Sequence, residues 1–115
     1  MKLSVRQEGG VTVLTPVGPM VIGPGEQEMH EAVARLLSER QVRLVFDMSG
    51  VTKADSSGIE SLLNACRQAR ERGGDARLAG VSQRLRTLLE ISQLTNVLEL
   101  YADVNEAVSS YTARP

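Results

Sequence analysis

The run Asp55-Ser56-Ser57-Gly58 sets two hydroxyls between a carboxylate and a residue with no side chain. Serine hydroxyls in such a run can do three things. They can attack a substrate, accept a phosphate, or cap a helix. Attack requires a general base and a group to orient it. The chain has a single histidine, His30, on a different predicted helix, where it reads as a surface residue. No Walker motif and no dinucleotide glycine pattern is present, so a nucleotide hydrolase lacks its phosphate loop as well as its base. Capping and phosphate acceptance remain. Asp-Ser-Ser-Gly is ordinary turn and N-cap chemistry. The same position would also tolerate a phosphate on Ser56, because unpaired N–H groups and the helix dipole favour negative charge there.

Asp47 lies eight residues earlier, at the end of an apolar run. A receiver-type phosphoacceptor aspartate sits at such a place. That chemistry uses Mg²⁺, which needs several oxygen ligands. Glu8 is the only acid among the first 25 residues, so the acidic pair of a receiver is missing. Asp47 is read as a turn cap or a partner contact. Cys66 shares a helical stripe with Ile59, Leu62 and Leu63 and is read as a small buried hydrophobe. With one Cys and one His, a His-Cys metal cluster and an intrachain disulfide are both excluded, and no cofactor is expected.

Strands and helices must deliver these residues. Leu3 and Val5, then Val11, Val13 and Val17, alternate with polar residues on either side of Gly9-Gly10 and predict an antiparallel hairpin. Gly18 to Gly25 holds three Gly and two Pro and reads as a loop. Met29, Ala32, Val33, Leu36 and Leu37 follow at helical spacing. Val42 to Phe46 is a dense apolar run suited to a strand covered on both faces. Ile59, Leu62, Leu63 and Cys66 predict a second helix, stopped by Gly73-Gly74. Ala76 to Gly80 reads as a strand, and Ser82 caps a helix with Leu85, Leu88 and Leu89 on one face. Val97 to Tyr101 reads as the last strand. Asp103 and Glu106 open a terminal helix with Ala107, Val108 and Tyr111. The expected order is β-β-α-β-α-β-α-β-α. That is an α/β fold with a mixed, mostly parallel sheet, an N-terminal antiparallel hairpin and helices packed on the sheet. The Ser-rich junction then lies beyond the carboxyl end of a strand, where sites collect in such sheets.

Composition bounds the function. At 115 residues the chain suits one domain over 1–115. Hydrophobic residues make up 42% and charged residues 23%, which is ordinary globular composition. A net charge of -1 argues against a dedicated nucleic-acid binder. No apolar run is long enough to span a membrane and no signal peptide opens the chain, so a cytoplasmic location is expected. Six of the eleven Arg fall between Arg67 and Arg86, opposed only by Glu71 and Asp75. They are either solvated faces or an edge that steers an acidic partner.

From Val42 through Ala107 the chain resembles the anti-sigma factor antagonist family, the STAS domains. The resemblance rests on Arg43-Leu-Val-Phe-Asp-Met-Ser-Gly-Val, on Ala54-Asp-Ser-Ser-Gly-Ile59, on Arg70-Glu-Arg-Gly-Gly74, on Ala76-Arg-Leu-Ala-Gly80 and on Leu85-Arg-Thr-Leu-Leu-Glu-Ile-Ser-Gln-Leu94. It implies a single STAS-type domain that is not an enzyme but a phosphorylation-switched binding protein. Ser56 is then the acceptor. Asp55, Ser56, Ser57, Gly58 and Ile59 form the partner-binding surface. The implied partners are an anti-sigma factor with serine kinase activity and a serine phosphatase. Unphosphorylated, such a protein sequesters the anti-sigma factor and frees a sigma factor. A monomer or weak dimer is expected. The same fold also serves as a scaffold subunit of signalling assemblies and as an accessory subunit of lipid or anion transporters. The segment Gly18–Gly25 departs from the family in having no acid before Glu26, a difference that bears on partner choice rather than fold.

Overall fold

In the computed structural model, which describes residues 1–112, Gly9 and Gly10 turn the chain with φ of 56° and 84°. Two consecutive positive φ values make the primed turn whose twist matches a hairpin, and glycine adopts them at no steric cost. Strand β1 (Lys2–Glu8) therefore pairs antiparallel with β2 (Val11–Met20), with Glu8 opposite Val11. The last three residues of the domain expected over 1–115 lie outside the described residues.

The rest follows in α/β alternation. Helix α1 (Pro24–Ser38) leads to β3 (Arg43–Asp47) and a short β4 (Val51–Ala54). Helix α2 (Ser56–Glu71), β5 (Asp75–Ala79), α3 (Gln83–Ile91), a 3-10 turn (Leu94–Asn96), β6 (Leu100–Tyr101) and α4 (Val104–Thr112) complete the chain. The sheet runs β1-β2-β3-β5-β6, and every pair after the hairpin is parallel. The α/β class, the hairpin and the mostly parallel sheet agree with the expectation from sequence.

Three local readings need correction. Gly18, Pro19 and Met20 close β2 rather than opening a loop. An unforeseen partner supplies their pairing, since Gly18 aligns with Val51 and Met20 with Ala54 of β4. That short strand lies inside the stretch read as a plain strand-to-helix junction. Helix α1 begins at Pro24, within the predicted loop, where proline forfeits no helical N–H. The strand expected over Val97–Tyr101 is reduced to Leu100–Tyr101 behind the 3-10 turn.

The two faces of the sheet are covered unequally. One carries α1, α2 and α3 around Phe46, Leu14, Leu62, Leu78 and Leu89, all fully buried. The predicted stripe on α3 splits. Leu85 and Leu89 reach the core while Leu88 is 42% exposed. Leu63, on α2, is only half-buried and packs at the core's edge. Among the described residues the opposite face is covered by α4 alone, through Ala107 on Val11, Val13, Val45 and Ala79. Tyr111 fastens that helix. Its hydroxyl donates to Leu44 O at 2.7 Å, its ring lies 3.9 Å under the Arg77 guanidinium, and burial pushes its phenol pKa up.

Candidate functional site at the start of α2

The junction after β3 is built from short-range polar contacts. Asp47 Oδ1 accepts from the backbone N–H of Ser49 at 3.1 Å and from its hydroxyl at 2.7 Å. It is a turn cap, as its position suggested. The chain then runs through β4 and turns into α2 at Asp55.

Asp55 is the N-cap of α2. One carboxylate oxygen accepts from Gly58 N at 2.9 Å, and the other accepts from Ile22 N at 3.3 Å. The first bond closes the orphan end of the helix. The second ties the helix start to the segment between β2 and α1. These amides, that of Gly58 foremost, hold the Asp55 carboxyl below the usual carboxylate range. Its own N–H donates to Met20 O at 3.3 Å, so the end of β2 is part of the same structure.

Gly58 is buried, and its smallness is required. A Cβ added there would stand 2.1 Å from Met20 O and 2.9 Å from Met20 Cγ. Helix α2 can approach the end of β2 only because this position carries no side chain. Ile59 is buried behind it as the first core anchor of the helix.

The two serines differ sharply. Ser57 is half-buried, and its hydroxyl donates to the Glu26 carboxylate in the first turn of α1. Its carbonyl accepts from the Ser61 hydroxyl at 3.1 Å. Ser56 is the first residue of α2, is exposed, and its hydroxyl has no protein partner among the described residues. His30 is exposed as expected, and its Nε2 lies 2.7 Å from Ser61 Oγ. The histidine thus meets a third serine and offers no base to Ser56 or Ser57.

The structure brings all five predicted residues to one helix start, with only Ser56 presenting a free, exposed hydroxyl. Sequence reasoning missed Glu26 and Ile22. Ile22 lies in the segment that separates this chain from the family pattern, and Glu26 follows that segment directly. The absence of an acid before Glu26 was visible in the sequence; that Glu26 itself reaches Ser57 from α1 was not.

The arginines between Arg67 and Arg86 do not form one edge. Arg70 and Arg77 both clamp Asp75, at 2.8 and 3.0 Å. Arg72 donates to Leu37 O at 3.2 Å, and Arg67 to Asn64 at 2.6 Å. Four of the six are engaged by their own neighbours. Cys66 is buried beside Asp75, and burial pushes its thiol pKa up, which keeps it protonated and unreactive.

Comparison with known proteins adds a family and a fold. The family model described as STAS domain matches residues 2–107. No curated protein matches the chain. Among solved structures, an anti-sigma factor antagonist from Mycobacterium paratuberculosis superposes with a TM-score of 0.80 at 19% identity, over 95% of this chain and 92% of that one. The anti-sigma factor antagonist SpoIIAA in its unphosphorylated form superposes at 0.78 and 11% identity, over 99% and 100%. The murine Solute Carrier 26 family member A9 anion transporter superposes at 0.78 and 18% identity, over 95% of this chain and 19% of the transporter.

Proposed function

The chain belongs to the STAS domain family, and from that premise we propose that it is an anti-sigma factor antagonist switched by phosphorylation of Ser56. Unphosphorylated, it sequesters an anti-sigma factor that is also the serine kinase, and so frees a sigma factor. A serine phosphatase restores the binding form. It is a kinase substrate and a binding module, not an enzyme. Asp55 and Ser57 frame the surface around the acceptor, while Gly58 and Ile59, expected there from sequence, are buried beneath it.

The observation that carries this reading is the contrast between the two hydroxyls. A kinase needs a hydroxyl that is exposed and unengaged. Ser56 supplies one at the first position of a capped helix, whereas the Ser57 hydroxyl is held by Glu26. A phosphate adds roughly -1.5 to -2 charges at pH 7. The helix start accommodates part of that charge, and Asp55 beside it opposes the rest. A partner surface fitted to a neutral hydroxyl has no such compensation, because it must bury the new charge unpaired.

The test uses the cognate kinase and ATP. Wild type and Ser57→Ala should be labelled and Ser56→Ala should not. Phosphorylated protein should lose its affinity for the anti-sigma factor while keeping its circular dichroism melt. Labelling of Ser56→Ala at the wild-type rate overturns the assignment, and equal affinities of the two forms overturn the switch. Recovery of a transporter ATPase in place of a kinase, by pull-down from the native host, would move the protein to the transporter-subunit reading.

A further inference from the structure

Beside the Ser56 site, and continuous with it through Ala54, lies a groove of about 530 Å³ between β4 and α3. Two independent features mark it. The first is an unpaired strand edge. Strand β4 pairs with β2 alone, so its other edge has no strand partner among the described residues. Such an edge is a ready template for one more strand. The second is a stripe on α3 separate from the stripe that feeds the core. Arg84, Leu88 and Ile91 recur along the helix at i, i+4 and i+7 and all line the groove. Leu88 is 42% exposed and Ile91 75% exposed. A lone lysine on a strand edge serves to repel other strands, but a guarded edge would not face two exposed aliphatic side chains. The charged residues that line the groove, Lys53 and Arg84, are both basic, in a chain whose net charge is -1.

We propose that this groove is a docking surface for an extended segment of a protein partner, one that alternates apolar with acidic side chains. The segment adds to the free edge of β4 through its backbone, seats its apolar side chains on Leu88 and Ile91, and pairs its carboxylates with Lys53 and Arg84. The unpaired edge selects an extended segment over a helix, because only a strand uses those backbone groups. The two basic residues select acidic over neutral or basic sequences. The proposal rests on the preceding section only in assigning the segment to the partner that reads Ser56.

The experiment is an amide NMR titration of the full chain with a synthetic peptide of alternating leucine and glutamate flanked by serines. A matched peptide carries lysine for glutamate. Further arms use an acidic amphipathic helical peptide, octanoate, and dilution of the protein alone. The acidic extended peptide should shift the amides of β4 and of the exposed α3 stripe. Lys53→Glu with Arg84→Glu should weaken it roughly tenfold. Equal response to the lysine peptide overturns the proposal, as do shifts confined to other regions or absent altogether. Preference for the helical peptide or for octanoate assigns the groove to another occupant and also overturns it, as does concentration dependence without ligand. The titration uses neither kinase nor anti-sigma factor, so failure of Ser56 labelling leaves this result untouched, and failure here leaves the Ser56 reading untouched.

Discussion

Helices α2 and α3 both start behind a side-chain cap, yet only the cap of α2 is tied to a segment outside its own helix. Asp55 bonds Gly58 N, and Ser82 bonds Leu85 N at 3.2 Å. The cap geometry is the same, three residues ahead in each case. The surroundings differ position by position. The cap of α2 has a second oxygen that reaches Ile22, whereas Ser82 spends its only oxygen on its own helix. The third helical residue is a buried glycine under Met20 in α2 and a buried leucine in α3. Capping is therefore a common device that carries no function by itself. What distinguishes α2 is that its cap, its glycine and Ser57 are all committed to the neighbouring segment, which leaves Ser56 uncommitted in a rigid frame.

The comparison can be broken first at the third helical position. Gly58→Ala should cost about 3 kcal/mol, because the new methyl meets a backbone carbonyl that has no rotamer by which to escape. Leu85→Ala should cost about 2 kcal/mol for the opposite reason, a cavity. Denaturant midpoints compare the two. A neutral Gly58→Ala would mean that α2 does not need its close approach to β2.

The caps come next. Ser82→Ala should cost about 1 kcal/mol. Asp55→Ala should lower the denaturation midpoint further, since it breaks a bond to the segment before α1 as well as the cap. Equal midpoints would reduce Asp55 to an ordinary cap. The pH dependence sharpens the same point. Gly58 N–H, and then Ile22 N–H, hold the Asp55 carboxyl below its ordinary value of 3.8. A carboxylate with a lowered folded pKa stabilises the fold above the unfolded value, and that contribution is lost as pH falls through the folded one. The advantage of wild type over Asp55→Asn should thus be complete above 3.8 and be lost as pH falls below it through the lower folded value. Melts across a pH series read it.

The smallest effect is expected at Ser56. Ser56→Asp should keep its melting temperature within a few degrees, because the helix dipole favours the new charge by about 0.3–1 kcal/mol while Asp55 repels it. Ser57→Ala, at the next residue, should cost about 1 kcal/mol through loss of the Glu26 contact. A larger loss for Ser56→Asp than for Ser57→Ala would reverse the roles of the two serines.

How far the sequence discloses the site follows from which interactions are local. The hairpin was legible because Gly9-Gly10 punctuates two alternating runs. Helices α1, α2 and α3 were legible because their apolar stripes are periodic. Strand β4 was not, since Val-Thr-Lys-Ala is too short to show a period and owes its conformation to β2. The end of β2 was hidden by Gly18 and Pro19, whose turn propensity is overridden by that same pairing. Leu63 and Leu88 were assigned to the core because a stripe gives a direction but not its width. At the site, Asp55 to Ile59 could be read because they are consecutive. Glu26 and Ile22 could not, because their contacts span more than thirty residues and depend on how α1 meets α2.

The two-handed carboxylate of Asp55 also makes a statement about motion. The amides of Ile22 and Gly58 share one acceptor group, so neither can open to solvent for long while the other keeps the carboxylate in place. Hydrogen exchange should find the two protons protected together and released together, as a single small opening unit within the native state. Anything that displaces the carboxylate, the repulsion of a neighbouring phosphate or the pull of a partner's cation, would unlatch the segment before α1 and the first turn of α2 in the same event.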